Sequence, residues 1–269
     1  MPNDGGAALA DTPAPQSGKD DRLRVFGVAI AVALTCAIVV SVSSVLLRPY
    51  QEAHLEAERE ARMAAMLDAL PGMREIMEEA GVDSLSTRIV DLETGRFEPE
   101  MDPASFHQQA AANDPDRNVA IPSELDVADL RTRARHAPVH FLDRDGELLL
   151  VVLPVSGTGY QSTIRAMLAL EADLNTIAAL TITEQAETPG LGARVEDPAW
   201  LAQWPGKEIA DESGAIEISV VRGQASGPHQ IDGLTGATRT SNGVGNMLRY
   251  WMGDHGFGPF LDRLAEEGL

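Results

Sequence analysis

The sequence predicts an α+β domain, built on a mixed, mainly antiparallel sheet with flanking helices and carried behind a single N-terminal membrane-spanning helix. Three observations lead there. Positions 25–47 form an uncharged apolar run of 23 residues. Short β-forming stretches recur after it, several joined by residues suited to tight turns. Helical periodicities flank these stretches on both sides, a pattern of α+β architecture rather than alternating βαβ units. With 269 residues and 44% apolar content, the chain can fill one large or two small cores, which excludes disorder throughout.

Residues 1–19 are rich in Ala, Pro, Gly and Asp without an apolar period, so residues 1–24 read as a disordered tail. The run at 25–47 would extend about 35 Å as a helix at about 1.5 Å per residue, enough to cross a bilayer. A cleaved signal peptide has a shorter apolar region and a small-residue cleavage site, which Leu46-Leu47-Arg48-Pro49 does not resemble. Cys36, the sole cysteine, lies inside the span as a small apolar residue. No disulfide or paired-cysteine metal site can therefore form within the chain. Lys19, Arg22 and Arg24 before the span are matched by Arg48, Arg59 and Arg62 after it, so positive charge leaves the orientation tied.

Beyond the span, residues 48–72 predict a stalk helix: Met63, Met66, Leu67 and Leu70 share a face, and Pro71-Gly72 ends it. The remainder of 48–269 reads as one domain outside the membrane. A hairpin is expected over 87–97 with its turn at Thr94-Gly95, then a polar irregular stretch over 103–122. A second hairpin joins 139–142 to 147–153 through Asp145-Gly146. Strands follow at 164–170, 176–182 and 216–221. The formal charge is −20, and since residues 1–48 sum to zero, the excess lies wholly beyond the span. Such an acidic domain is a poor partner for nucleic acid or anionic lipid.

Several chemistries are absent from the sequence. There is no phosphate-binding P-loop, no H-E-x-x-H and no G-x-S-x-G. His136 and His140 are four apart, but on a strand that spacing separates them by roughly 13 Å, too far to share one metal ion, so they read as a solvated pair.

Two glycine-rich segments remain. The first is Glu187-Thr188-Pro189-Gly190-Leu191-Gly192-Ala193, a surface turn or a close approach to a ligand. The second runs Asp232-Gly233-Leu234-Thr235-Gly236-Ala237-Thr238-Arg239-Thr240-Ser241. Val244, Met247, Leu248, Trp251 and Met252 after it share a helical face, which predicts a helix with Thr240 or Ser241 as N-cap. A loop entering a helix N-terminus offers free N–H groups to a phosphate, and Arg239 adds a positive charge. Capping accounts for one or two of the hydroxyls of Thr235, Thr238, Thr240 and Ser241, not for all four. The residues alone indicate a phosphate or phosphorylated cofactor here, without choosing the hydroxyl that matters.

This second segment resembles the covalent-flavin motif of FMN-binding domains in membrane redox pumps. Leu47-Arg48-Pro49, Glu187-Thr188-Pro189-Gly190-Leu191-Gly192, Asp197-Pro198-Ala199-Trp200, Trp204-Pro205-Gly206-Lys207 and the ending 251–261, with its Gly256-Phe257-Gly258-Pro259-Phe260, extend the likeness. Together they are similar to the NqrC family, which belongs to the Na⁺-translocating NADH:quinone reductases. The resemblance implies FMN esterified through its phosphate to Thr238 by a flavin transferase that uses FAD. Asp232, Thr235, Gly236 and Ala237 complete the transferase's recognition motif. Glu187, Thr188, Gly190, Leu191 and Gly192 would line the isoalloxazine pocket. Tyr160 stands where the family has an aromatic step, and Arg239 would balance the phosphodiester charge.

The implied role is one-electron carriage from an iron centre in the membrane subunits to a second covalent flavin on NqrB, coupled to Na⁺ export. NADH oxidation and ubiquinone reduction would lie elsewhere in the six-subunit complex, of which B, D and E are the expected contacts. The domain is expected in the periplasm of a bacterial inner membrane, with the tail cytoplasmic. Open alternatives are the Rnf-type paralogue RnfG, a membrane-anchored module holding a free phosphorylated ligand, and an assembly protein without flavin.

Overall fold

The computed structural model describes residues 28–30, 32–34, 36–37 and 86–269. The chain divides into two units, 1–61 and 62–269. In the first, the described residues are helical and exposed. Among the described residues no helix is long and apolar enough to cross a membrane. The expected tail at 1–24, most of the span at 25–47 and the stalk at 48–72 lie outside the described residues.

In the second unit the elements are β1 (Ser86–Asp91), α1 (Gln108–Asn113), β2 (Asn118–Ala120), β3 (Thr132–Ala134), β4 (His136–Arg144), β5 (Glu147–Thr158), β6 (Thr163–Glu171) and β7 (Ile177–Glu184). After them come α2 (Pro198–Leu201), β8 (Ser219–Val221), β9 (Gln230–Asp232), α3 (Thr238–Met252) and α4 (Gly258–Glu267). The main sheet is antiparallel in the order β1-β4-β5-β6-β7. Its turns follow from local chemistry. Asp145 and Gly146 both take positive φ, 53° and 85°, as a two-residue primed turn requires. Between β6 and β7 the Asp173 carboxylate accepts the N–H groups of Asn175 and Thr176, while Leu174 takes φ 60°.

Two expectations change. The stretch 103–122 contains α1 and β2; α1 buries only Ala111, so it leaves no apolar period to read. The strand expected at 216–221 narrows to β8, which pairs in parallel with β9 outside the main sheet, while the buried Ile218 just before it belongs to the core.

Helix α3 buries the expected face, Val244, Met247, Leu248, Trp251 and Met252, each side chain contributing about 1.5–3 kcal/mol of apolar transfer. Glycines bring it close to β5. A Cβ on Gly157 would stand 2.8 Å from the Met247 Cβ, and one on Gly243 would stand 2.5 Å from the Thr158 carbonyl oxygen. Trp251 Nε1 donates to the Ser156 carbonyl at 2.7 Å and fixes the helix along the strand. The N-terminus of α3 is thereby held beside the turn from β5 to β6. Elsewhere Phe97, Phe141 and Phe260 meet edge to face at 5.7–6.1 Å between centroids and join β4 to α4.

The two histidines share a face of β4 but are partly buried, each beside a residue of β1 rather than facing open solvent. His136 lies 3.6 Å from Asp91, its cross-strand partner. His140 Nδ1 is 2.9 Å from the Thr87 hydroxyl, and burial pushes its pKa from 6.5 down to about 4.

Phe141→Ala should cost about 3–5 kcal/mol in urea unfolding, because it empties the aromatic junction. Because His140 is held neutral in the fold, its contribution to stability is full above pH 6.5 and is lost as pH falls towards about 4. His140→Gln should flatten the pH dependence of the melting temperature across that window.

Candidate functional site

The site forms where three segments meet: the 159–162 turn, the 187–192 loop and the start of α3. Their common tie is the Glu187 carboxylate, buried with 5% exposure. Its Oε1 accepts the N–H of Gln161 at 3.0 Å, the N–H of Ser162 at 2.9 Å and the Ser162 hydroxyl at 3.0 Å. Its Oε2 accepts the Tyr160 N–H at 3.2 Å and the Thr240 hydroxyl at 2.7 Å. Desolvation works to raise the Glu187 pKa, but the bonds from Gln161, Thr240 and Ser162 outweigh it and hold the group below its ordinary value.

Two glycines give this carboxylate its room. A Cβ on Gly159 would stand 2.6 Å from Glu187 Oε1, and one on Gly192 would stand 2.7 Å from both Glu187 Oε2 and the Thr240 hydroxyl. Thus Glu187 and Gly192 lie beneath the surface and set the spacing of the loops above them. Gly190, at φ 74°, turns the chain so that the N–H groups of Leu191 and Ala193 both reach the Thr188 carbonyl. Leu191 is left 47% exposed. A Cβ on Gly236 would stand 3.4 Å from its Cδ2, so the exposed leucine lies against the second glycine segment.

Helix α3 starts earlier than the sequence pattern indicates. Its first residue is Thr238, with Ala237 in the N-cap position and no side-chain cap. The two hydroxyls expected to cap are inside the first turn and buried, each with another partner. Thr240 donates to Glu187, and Ser241 donates back to the Ala237 carbonyl at 2.9 Å. Among the described residues the hydroxyls of Thr235 and Thr238 have no hydrogen-bond partner. The bond from Ser241 N–H to the Ala237 carbonyl closes the first helical turn, so the N–H groups of residues 238–240 lie ahead of the ladder. Gly236, at φ 84°, permits the sharp entry. Arg239 stacks its guanidinium over the exposed Tyr160 ring, 5.2 Å from the centroid.

Asp232 ends β9 and is half-buried. Its side chain accepts the Ala225 N–H, its own N–H donates to Gln203 Oε1, and its carbonyl receives Trp200 Nε1 at 2.8 Å. Of the residues singled out from the sequence, Tyr160, Leu191, Gly236, Thr238 and Arg239 come together at one surface, with Thr235 alongside. Ser162, Trp200, Gln203 and Gly243 support the site without having been singled out for it. Ser162 stands two residues after Tyr160, and its place beside that aromatic step is the available signal.

A bound FMN fits these residues. The unpaired N–H groups at the start of α3, with Arg239, suit a phosphate. The exposed Tyr160 and Leu191 offer apolar surface to a flat ring, and the Thr238 hydroxyl is free for an ester.

Glu187→Gln should lower stability by about 1–3 kcal/mol in urea unfolding, because charged acceptors make the stronger hydrogen bonds. Since its folded pKa is depressed, the Glu187 contribution is full above pH 4.5 and disappears as pH falls through the lower folded value. The variant should therefore lose less stability than wild type on acidification below pH 4.5.

Residues 159–253 match the FMN-binding domain family. The C subunit of the Na(+)-translocating NADH-quinone reductase of Vibrio alginolyticus is 38% identical over 255 residues, covering 94% of this chain and 99% of its own length. Its counterpart in Pseudomonas aeruginosa is 36% identical over 257 residues, covering 93% and 98%. The crystal structure of Shewanella oneidensis NqrC matches with a TM-score of 0.70 at 31% identity, over 79% of this chain and all of that one. Extended at this level over nearly the whole chain, the likeness places the protein in the NqrC family of Na(+)-translocating NADH-quinone reductases.

Proposed function

We propose that the chain carries FMN, joined through its phosphate to the Thr238 hydroxyl, and serves as an electron-transfer subunit of a Na⁺-translocating NADH:quinone reductase. The observation that carries this reading is the sorting of hydroxyls at the start of α3. Two of the four are buried and engaged, whereas Thr238 stands at the first helical position beside unpaired N–H groups and Arg239.

The flavin, when bound, supplies reversible electron uptake at low cost in nuclear rearrangement, and the protein supplies its position and surroundings. Thr238 Oγ1 would form the phosphoester; with FAD as donor, AMP would leave as the Thr238 proton is released. Arg239 and the N–H groups of residues 238–240 would hold the phosphodiester charge, while Tyr160, Leu191 and Thr188 would flank the ring. Asp232, fixed at the end of β9, presents the motif to the flavin transferase during maturation. Neither a cysteine nor a metal cluster is needed to keep such a carrier in place.

Within the complex the domain would carry electrons from an iron centre in the membrane subunits to the flavin of NqrB, with B, D and E as its contacts. We assign 25–47 as a single membrane span, with residues 1–24 in the cytoplasm and the acidic domain, 48–269, in the periplasm. The chain alone should not oxidise NADH.

Thr238→Ala should abolish covalent flavin and leave the fold unchanged, read as loss of the fluorescent band on a denaturing gel with a wild-type melting curve. A fluorescent mutant band would move the attachment to another hydroxyl. Asp232→Ala should also lose the flavin, through failed transferase recognition; full modification by intact mass would contradict that role.

A further inference from the structure

We propose that Asp91, Glu98 and His136 form a binding site for a divalent transition cation, of which Zn²⁺ fits best. The ligand atoms of these three residues all lie within 4.8 Å of one another. Backbone pairing puts them there. Asp91 and His136 are directly opposed between β1 and β4. The chain returning after the 92–95 turn pairs with β1 through the Val90–Phe97 bridge and the bond from Glu98 N–H to the Ile89 carbonyl. Side chains at opposed and alternate positions share a face, so the three project together from three adjacent strands.

Their hydrogen bonding leaves the ligand atoms available. Asp91 Oδ1 is occupied by the N–H groups of Glu93 and Thr94 at 2.9 and 2.8 Å, which orients the carboxylate and leaves Oδ2 facing His136. The separation of Oδ2 from His136 Nε2 is 3.6 Å, beyond a hydrogen bond. It is close to the roughly 3.4 Å that separates two ligands around a tetrahedral ion with bonds of about 2.1 Å. The Glu98 carboxylate is half-buried and makes no hydrogen bond or ion pair with any described residue. Two carboxylates would neutralise a divalent ion, and the imidazole nitrogen selects zinc-like ions over Mg²⁺ or Ca²⁺. A bound ion would tie the 92–98 turn to β4 at the outer strand of the main sheet. None of the three residues belongs to the flavin site, so this inference and the functional one fail separately.

Titration of the metal-stripped full chain with Zn²⁺ against a chromophoric competitor tests the site, together with melting curves. One equivalent should bind and raise the melting temperature. Glu98→Gln and His136→Gln should each weaken binding by at least about tenfold and remove the thermal shift. Excess Mg²⁺ should not compete, and His229→Gln should bind as wild type does. Glu98→Gln is the stricter variant, since Glu98 holds nothing else in place. Absence of one tight equivalent in wild type, or undiminished binding in Glu98→Gln and His136→Gln, would overturn the proposal.

Discussion

The site depends on a carboxylate that never reaches the surface. Glu187 gathers five hydrogen bonds from two segments remote in sequence, the 160–162 turn and Thr240 of α3. A buried charge is tolerable only with such compensation, and once compensated it admits little freedom in the groups around it. Bare glycines at 159 and 192 are part of the same constraint, because a methyl at either would collide with the carboxylate. The surface above it inherits the geometry: Tyr160 on the turn, Leu191 on the loop and Thr238 on the helix are set relative to one another by a bond network none of them joins through a side chain.

This division of labour explains how an acidic chain can hold an anionic cofactor. The net charge of −20 would repel a phosphate at most points on the domain. At the start of α3 the local field is reversed by N–H groups ahead of the helical ladder and by Arg239, which Tyr160 holds through its ring face. The proposed ester bond to Thr238 would remove dependence on affinity altogether, which suits a carrier whose ring must stay accessible to redox partners.

The antiparallel character of the sheet, the Asp145-Gly146 turn and the buried face of α3 were legible because each rests on a local period or a turn residue with a fixed conformational demand. The helix start was not. Thr240 and Ser241 have the composition of N-caps, but other contacts claim their hydroxyls, one for Glu187 and one for the Ala237 carbonyl, so the helix begins three or four residues earlier than capping would place it. Likewise α1 is too short for a readable period, and the partners of His136 and His140 come from a strand some fifty residues away. Thr238 is singled out by resemblance to a family motif; what the structure shows is that the hydroxyls of Thr240 and Ser241 in the same helical turn are already bonded.

Peptide mass spectrometry of the purified chain tests the central claim most directly. Cleavage after Arg222 and Arg239 releases residues 223–239, which include Thr235 and Thr238 but neither Thr240 nor Ser241. The account predicts that this peptide carries FMN less one water, with fragmentation placing it on Thr238. An unmodified peptide, or a flavin mapped to Thr235, Thr240 or Ser241, would contradict it.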